Sequence, residues 1–159
     1  MKLGGSLLII DECILGRGQD KDKKIDEELK QRIKVFQEVL KKNGFKVSNP
    51  REIWGTANNP FFGMHDSGIM SYARKNNGIV LTANKKDFVP GRRKVNFGYK
   101  DAFGNSKGSI RVILIKQPNY RIEGFEQVTL DLVRRLINLD LRLKVNPKMW
   151  EDNNDIIDL

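Results

Sequence analysis

Three aspartates are far apart in the chain but occur in settings typical of metal-binding acids. Asp11 directly follows a short apolar run, Asp66 precedes an amphipathic segment, and Asp87 comes shortly after a second apolar run. Carboxylate oxygens are hard ligands that favour Mg²⁺ or Mn²⁺ over zinc or copper. Such an ion activates bound water and stabilises charge that develops on a phosphodiester oxygen. The three acids therefore predict metal-dependent phosphodiester chemistry.

Each aspartate also has a purely structural interpretation. Asp66 can be the N-cap of a helix, and Asp87 can form a turn before Phe88. Asp11 is harder to explain in this way, because an unpaired carboxylate at the end of a buried strand is costly. Asn84, close to Asp87, adds a neutral amide oxygen. The candidate metal ligands are Asp11, Asp66, Asp87 and Asn84, and the three aspartates are the candidate catalytic residues.

The elements that must position these residues alternate along the chain. Short, continuous apolar runs indicate buried parallel strands, and apolar residues at spacings of three and four indicate helices. The alternation predicts an α/β fold with a mainly parallel sheet covered by helices on both faces. The predicted strands are Leu7–Ile10, Phe45–Val47, Ile79–Thr82 and Ile110–Lys116, and the predicted helices span Ile25–Leu40, begin at Asp66, and span Val128–Leu143. The first two helices are expected to stop at Asn43–Gly44 and Asn77–Gly78.

The carboxyl edge of the predicted sheet is where the acids can meet. Asp11 ends the first strand, and the turn that carries Asn84 and Asp87 opens on the same edge. The helix that begins at Asp66 covers the sheet by running back toward the opposite edge, so its N-terminus also lies at the carboxyl edge. We therefore expect the three aspartates to converge there.

Positive charge is concentrated in one segment. The 29 lysines and arginines exceed the 20 acidic residues by nine, and residues 83–111 contain eight of these basic residues and two acidic ones. Glycines and aromatic side chains are interleaved with them, a composition that suits phosphate contacts and base stacking but also fits a solvated loop. Nucleic acid, either RNA or DNA, is the expected partner. The candidate contacts are Lys85, Lys86, Arg92, Arg93, Lys94 and Lys100.

Composition limits the other classes of function. The single cysteine rules out an internal disulfide framework and indicates a reducing, cytoplasmic location, and the single histidine argues against a structural zinc site. No apolar run is long enough to be a membrane span or a signal peptide. We expect one domain over residues 1–150, with the basic loop 89–109 inserted in it. The acidic tail, residues 151–159, is expected to be disordered.

Several segments together resemble the PIN-like proteins, in particular the short prokaryotic group related to toxin–antitoxin ribonucleases. The matching segments are LLIIDE, a helix that ends LKKNGFKV, and HDSGIMSYARKNNGIVLTANKKDF. The resemblance covers roughly residues 6–90. It implies a three-layer α/β/α sandwich and Mg²⁺- or Mn²⁺-dependent endonucleolytic cleavage of RNA. The family's metal-binding acids correspond to Asp11, Asp66 and Asp87.

The chain departs from this pattern at Asn84, where the family usually has an aspartate. An amide can bind a metal but carries no charge, so the site holds either one ion or two, the second more weakly. The alternative is a catalytically silent module that has kept the fold and binds a nucleic acid or a protein partner. A protein inhibitor and a homodimer also remain open, since leucines of the last helix fit either the core or an interface. A phosphorylation receiver domain is a third, much weaker alternative, because Thr82 stands where the phosphoacceptor aspartate would be needed.

Overall fold

Five strands and four α-helices make up the described part of the chain. The computed structural model describes residues 3–11, 14, 23–48, 66–84, 110–118, 124–152 and 156–159, and for residues 23–30, 66–68 and 71 the backbone alone. The strands are β1 (Leu7–Ile10), β2 (Lys46–Ser48), β3 (Ile79–Thr82), β4 (Arg111–Leu114) and β5 (Ile156–Asp158). The helices are α1 (Lys23–Lys42), α2 (Asp66–Lys75), α3 (Phe125–Val145) and α4 (Met149–Asp152), preceded by a 3₁₀ turn at Leu3–Gly5.

The five strands form one sheet in the order β2-β1-β3-β4-β5, and every neighbouring pair is parallel. The predicted α/β fold with a parallel sheet is confirmed. All carboxyl ends of the strands therefore lie at one edge, which is what the convergence of the candidate ligands requires. Strand β4 is shorter than the predicted strand, and β2 is shifted by one residue.

Helices cover both faces of the sheet, which makes three layers. On one face, α1 and α3 pack on alternate residues of the inner strands, such as Ile10 and Leu81. On the other face, α2 packs on the intervening residues, such as Ile9 and Val80. Because successive side chains of a strand point to opposite faces, strands buried on both sides read as continuous apolar runs. The apolar composition of the inner strands therefore already indicates a sheet that is covered on both faces.

The acidic tail is part of the sheet, so the expectation that it is disordered is wrong for residues 156–159. Strand β5 pairs with β4 in register, with Ile157 opposite Ile113, and the N–H of Leu159 donates to the carbonyl of Leu114 at 2.8 Å. Ile157 is buried in the core that α1 and α3 cover. Ile157 gains from this burial, while Asp158, the acid of the strand, stays exposed to water.

Helices α1 and α2 are both followed by residues suited to a left-handed backbone. After α1, Gly44 has φ +88°, and the N–H of Phe45 donates to the carbonyl of Leu40 at 3.1 Å. This is the hydrogen-bond pattern that commonly ends helices at glycine. After α2, Asn77 has φ +50°, a value that asparagine tolerates better than most residues. The predicted helix stops at both asparagine–glycine pairs are confirmed.

Gly78 is required for close packing between the turn after α2 and strand β1. A Cβ at this position would lie 2.9 Å from Cδ1 of Ile9 and 3.0 Å from the carbonyl oxygen of Leu7. We expect Gly78→Ala to destabilise the fold by about 2 kcal/mol, because overpacking a tight contact forces neighbouring groups to move. Chemical denaturation measures this change. The control is Gly5→Ala, where an added Cβ meets nothing within 4 Å, and equal stability of the two variants would contradict the expectation.

A buried acid on α3 holds the N-terminal turn. The N–H of Gly4 donates to Oδ1 of Asp140 at 3.0 Å, and Nζ of Lys144 lies 2.8 Å from Oδ2 of the same carboxylate. Asp140 is thus explained by structure alone and is not a candidate for chemistry.

Among the described helices, none combines the length and the apolar content that a membrane span requires.

Candidate functional site

Asp11 lies at the carboxyl edge, directly after β1. Its N–H donates to the carbonyl of Leu81 at 2.9 Å, so the ladder between β1 and β3 continues one residue beyond the last strand residue. Only 8% of the residue is exposed. Because Ile10 is paired with Leu81, the next residues of the two strands, Asp11 and Thr82, are neighbours. The parallel register therefore brings a carboxylate and a hydroxyl together at this edge.

Thr82 holds the Asp11 carboxylate through a short hydrogen bond. Oγ1 of Thr82 donates to Oδ2 of Asp11 at 2.6 Å, at the short end of the range for hydroxyl donors. The main-chain N–H of Asn84 donates to the same Oγ1 at 2.9 Å. Since the hydroxyl accepts from Asn84, its own proton is directed toward Asp11. Thr82 is fully buried, which protects both bonds from competing water. We call Asp11, Thr82 and Asn84 the carboxyl-edge cluster.

The side chains of Asp11 and Thr82 lie on the α2 face of the sheet. Ile9 and Val80 pack against α2. Side chains two residues apart along a strand share a face, so Asp11 and Thr82 continue the same two rows. This placement matters because α2 is the helix that begins at Asp66.

Helix α2 is long enough to place Asp66 at the carboxyl edge. The helix ends beside the start of β3, where the N–H of Gly78 donates to the carbonyl of Ala73 at 2.7 Å. Ten helical residues rise about 15 Å, whereas the four residues of β3 rise about 10 Å. A helix that runs back along β3 from Gly78 can therefore reach the level at which β3 ends. The convergence of Asp66 with Asp11 stays a prediction.

Other predicted residues lie outside the described part of the chain. This holds for the side chain of Asp66, for Asp87, and for the whole set of candidate nucleic-acid contacts. Within the described ranges, no three or more His, Cys, Asp or Glu side chains form a group that could hold a metal ion. The structure brings Asp11 and Asn84 together, through Thr82, and the completion of a metal site by Asp66 and Asp87 stays a prediction. The six basic residues concerned are Lys85, Lys86, Arg92, Arg93, Lys94 and Lys100.

Thr82 is the residue of the carboxyl-edge cluster that the sequence analysis missed. The sequence analysis gave it no role in the site. The signal that identifies it is its position directly after the apolar run Ile79–Leu81, just as Asp11 directly follows the apolar run Leu7–Ile10. Two strands with polar residues at their carboxyl ends are expected to place them side by side when the strands are adjacent, but adjacency is a property of the topology.

A cavity of about 210 Å³ lies at the end of β4, on the face of the sheet that α3 covers, whereas Asp11 and Thr82 lie on the α2 face. The N–H of Ile115 donates to the carbonyl of Thr82 at 2.9 Å, so the cavity begins one strand away from the cluster. Lys116 and Arg135 line it with Asp131, whose carboxylate lies 3.1 Å from Nε of Arg135. The lining therefore has a net charge of +1.

The chain matches no protein-family model, no curated protein and no solved structure. The carboxyl-edge cluster is accordingly the starting point for assigning a function. Its three members are supplied by two adjacent strands and the turn after the second. An acid held at the carboxyl edge of a parallel sheet is in the usual position for ligand binding in such folds.

Proposed function

We propose that this chain is a PIN-like, divalent-metal-dependent endoribonuclease, of the kind found in toxin–antitoxin systems and acting in the cytoplasm. The observation that carries the proposal is the buried Asp11 carboxylate, held by Thr82 at the carboxyl edge on the face covered by the helix that Asp66 begins. A buried carboxyl group is costly unless it is stabilised, so its position at this edge favours a functional role.

The chemistry of the donors fits Mg²⁺ or Mn²⁺. Asp11, Asp66 and Asp87 supply carboxylate oxygens and Asn84 supplies an amide oxygen, and hard cations prefer such oxygen donors. When bound, the ion supplies an activated water and stabilises negative charge on the phosphodiester. Asp87 follows Asn84 by only three positions, and this length of chain spans at most about 10 Å, which keeps Asp87 within reach of the carboxyl edge.

Thr82 orients the Asp11 carboxylate for this task. A ligating carboxylate works best when a neighbouring donor fixes its rotation, because less freedom is then lost when the ligand binds. The hydroxyl of Thr82 is itself fixed by the N–H of Asn84, so the chain of bonds ends at backbone and does not depend on a mobile group. Thr82 is a positioning residue, and Asp11 is the catalytic one.

The direct test is cleavage of end-labelled single-stranded RNA by the purified protein. We expect internal cuts that require Mn²⁺ or Mg²⁺ and that stop when a chelator is added. A matched single-stranded DNA of the same sequence distinguishes a ribonuclease from a general nuclease. Absence of metal-dependent cleavage of either substrate would contradict the proposed activity.

The neutral amide of Asn84 favours a second candidate function, that of a catalytically silent module that binds nucleic acid without cutting it. This candidate predicts salt-sensitive RNA or DNA binding that does not depend on a metal. Calorimetric titration with Mn²⁺ separates the two functions, because the nuclease must bind the ion and the silent module need not. The number of ions per chain from the same titration shows whether Asn84 reduces the site to one ion.

The cavity beside β4 opens at the same edge of the sheet as Asp11, but on the face that α3 covers. Adjacent strands are about 4.8 Å apart, so the end of β4 lies about 10 Å from the end of β1. An RNA strand that crosses this edge would bring a neighbouring phosphate to Lys116. We expect Lys116→Ala to weaken RNA binding severalfold and to lower the slope of affinity against salt concentration by about 0.7.

Binding measured in chelator by fluorescence anisotropy tests this contact without cleavage. Lys46→Ala is the matched control, because Lys46 is exposed at the start of β2, on the opposite edge of the sheet. If the two variants show the same affinity and salt slope, Lys116 does not contact the RNA. That result would leave the metal-dependent cleavage itself untouched.

A further inference from the structure

The cavity at the end of β4 has an apolar wall and charged groups nearer to solvent. Its buried lining residues are all apolar, namely Ile115, Val128 and Leu132. Its exposed or half-buried lining residues are mostly polar, and they include Lys116, Asp131 and Arg135. We call this space the β4 cavity. It therefore offers apolar contact at its inner side and hydrogen-bonding groups at its rim.

The volume of the β4 cavity suits one small planar group. It measures about 210 Å³, less than the roughly 300 Å³ at which pockets for drug-sized ligands begin. An unpaired nucleobase has a flat face that stacks on protein groups and an edge that forms hydrogen bonds. We propose that the β4 cavity holds one base of the bound RNA and selects bases with an exocyclic amino group over uracil. This inference rests on the proposed function for the presence of RNA at this edge.

The β4 cavity is close enough to Asp11 to take a base near the bond that is cut. Strand β4 ends two strands away from β1, or about 10 Å. The cavity lies on the α3 face and Asp11 on the α2 face, so the RNA backbone crosses the edge between them. Sequence-specific recognition of RNA commonly uses single-stranded bases that are splayed out of the stack. A base that turns into the cavity then belongs to a nucleotide close to the one at Asp11.

An ion pair at the rim orients the carboxylate that would contact the base. Nε of Arg135 lies 3.1 Å from Oδ2 of Asp131, which precedes it by four positions on α3. A carboxylate has about four lone-pair positions, so Asp131 keeps acceptor positions for a ligand while Arg135 holds it. The guanidinium of Arg135 can also stack on the face of a base, as arginine does in RNA complexes. The pair thus supplies both an acceptor for the edge of a base and a plane for its face.

A group that only accepts hydrogen bonds distinguishes between the two pyrimidines of RNA. Cytosine has an amino donor at the ring position where uracil has a carbonyl oxygen. Asp131 accepts a hydrogen bond from that amino group, whereas its carboxylate repels the carbonyl oxygen of uracil. Lys116 and Arg135 only donate, and the phosphate and the second ring carbonyl are the same in both nucleotides. These two cations therefore add affinity, and the selection between cytosine and uracil comes from Asp131.

The test compares oligocytidylate with oligouridylate of equal length, by fluorescence anisotropy in chelator. We expect the wild type to bind oligocytidylate about fivefold more tightly. Asp131→Asn should bring the two affinities close together, because an amide both donates and accepts and so pairs with either pyrimidine. Asp152→Asn is the matched control, since it makes the same change in charge at an exposed acid on α4 and should leave the ratio of affinities unchanged. Unchanged thermal unfolding of both variants shows that their folds are intact.

Titration with cytidine monophosphate, followed by the amide NMR signals of the protein in chelator, locates the base. We expect shifts at residues 115–117 and 128–135, and weaker shifts with uridine monophosphate. Lys116→Ala should lower the affinity for both oligonucleotides and leave their ratio unchanged, because it removes a contact to phosphate. This variant separates the selection of a base from the electrostatic attraction of RNA.

Equal affinity of the wild type for the two oligonucleotides, or a preference that survives Asp131→Asn, would overturn the proposal. Shifts confined to the surroundings of Asp11 would do the same, and they would leave the β4 cavity to a side chain of a protein partner. Both measurements are made without metal and without cleavage, so base selection can fail while metal-dependent cleavage stands. A preference for cytosine in a chain that cuts no RNA would instead contradict the nuclease and support the base site.

Discussion

Asp11→Asn is expected to abolish metal-dependent RNA cleavage while leaving the fold intact. The substitution keeps the shape of the side chain, and its amide oxygen can still accept the hydrogen bond from Thr82. It removes the negative charge that attracts the divalent ion. Loss of a residue that only supports a metal ligand costs about 10–100-fold in activity, so loss of the ligand itself should cost more than about 100-fold.

The measurement is the initial rate of RNA cleavage at saturating Mn²⁺, with metal affinity from calorimetry on the same preparations. Asp152→Asn is the matched control, because Asp152 is an exposed acid on α4. The control should cleave as fast as the wild type. Equal activity of Asp11→Asn and wild type, with both folds intact, would show that the carboxyl edge is not the catalytic site.

Thr82→Val should weaken metal binding and cleavage by about 10–100-fold and should also lower stability. The two side chains have nearly the same shape, so the change removes the hydroxyl and little else. The Asp11 carboxylate then loses its donor, and the N–H of Asn84 loses its acceptor. A hydrogen bond to a charged group contributes about 2 kcal/mol to the free energy of unfolding, and we expect a loss of about that size.

Metal affinity distinguishes a positioning role for Thr82 from a merely structural one. Thr82→Ser keeps a hydroxyl and should restore most of the affinity for Mn²⁺. Thr129→Val is the matched control, because Thr129 is also buried and donates to a carbonyl within α3, at 2.8 Å from Phe125. That variant should lose stability without losing metal affinity. If Thr82→Val binds Mn²⁺ as tightly as wild type, the hydrogen bond to Asp11 serves the fold alone.

Much of the fold could be predicted because its signals are local. The apolar runs that became β1 and β3 are buried on both faces, and a strand of that kind has no polar side to show. The spacing of apolar residues in α1 and the asparagine–glycine pair after it located both the helix and its end. Such features depend on a few neighbouring residues, so they are readable before any tertiary contact is known.

Strand β5 shows where local signals fail. Its residues lie in a segment rich in acids, which resembles a solvated tail. Ile157 becomes a core residue only because β4 offers a free edge with matching register. The energy that orders this segment comes from residues more than forty positions away, and no pattern within the segment reports it.

The candidate site divides in the same way. The types and positions of Asp11 and Asn84, at the ends of predicted strands, followed from the sequence. Their connection through Thr82 did not, because it requires that β1 and β3 be neighbours and that Ile10 be opposite Leu81. A shift of one residue in that register would separate the hydroxyl from the carboxylate and turn one of them to the opposite face.

Sequence alone thus determined strands β1 to β4, helices α1 to α3, and that Asp11 follows a buried strand, since these depend on the chemistry and spacing of adjacent residues. Tertiary structure alone decided which strands are neighbours, which hydroxyl fixes Asp11, and which side of α3 stays exposed. These depend on how elements distant in the chain share one buried volume. The free energy of that choice is set by packing across the whole sheet and not by any single segment.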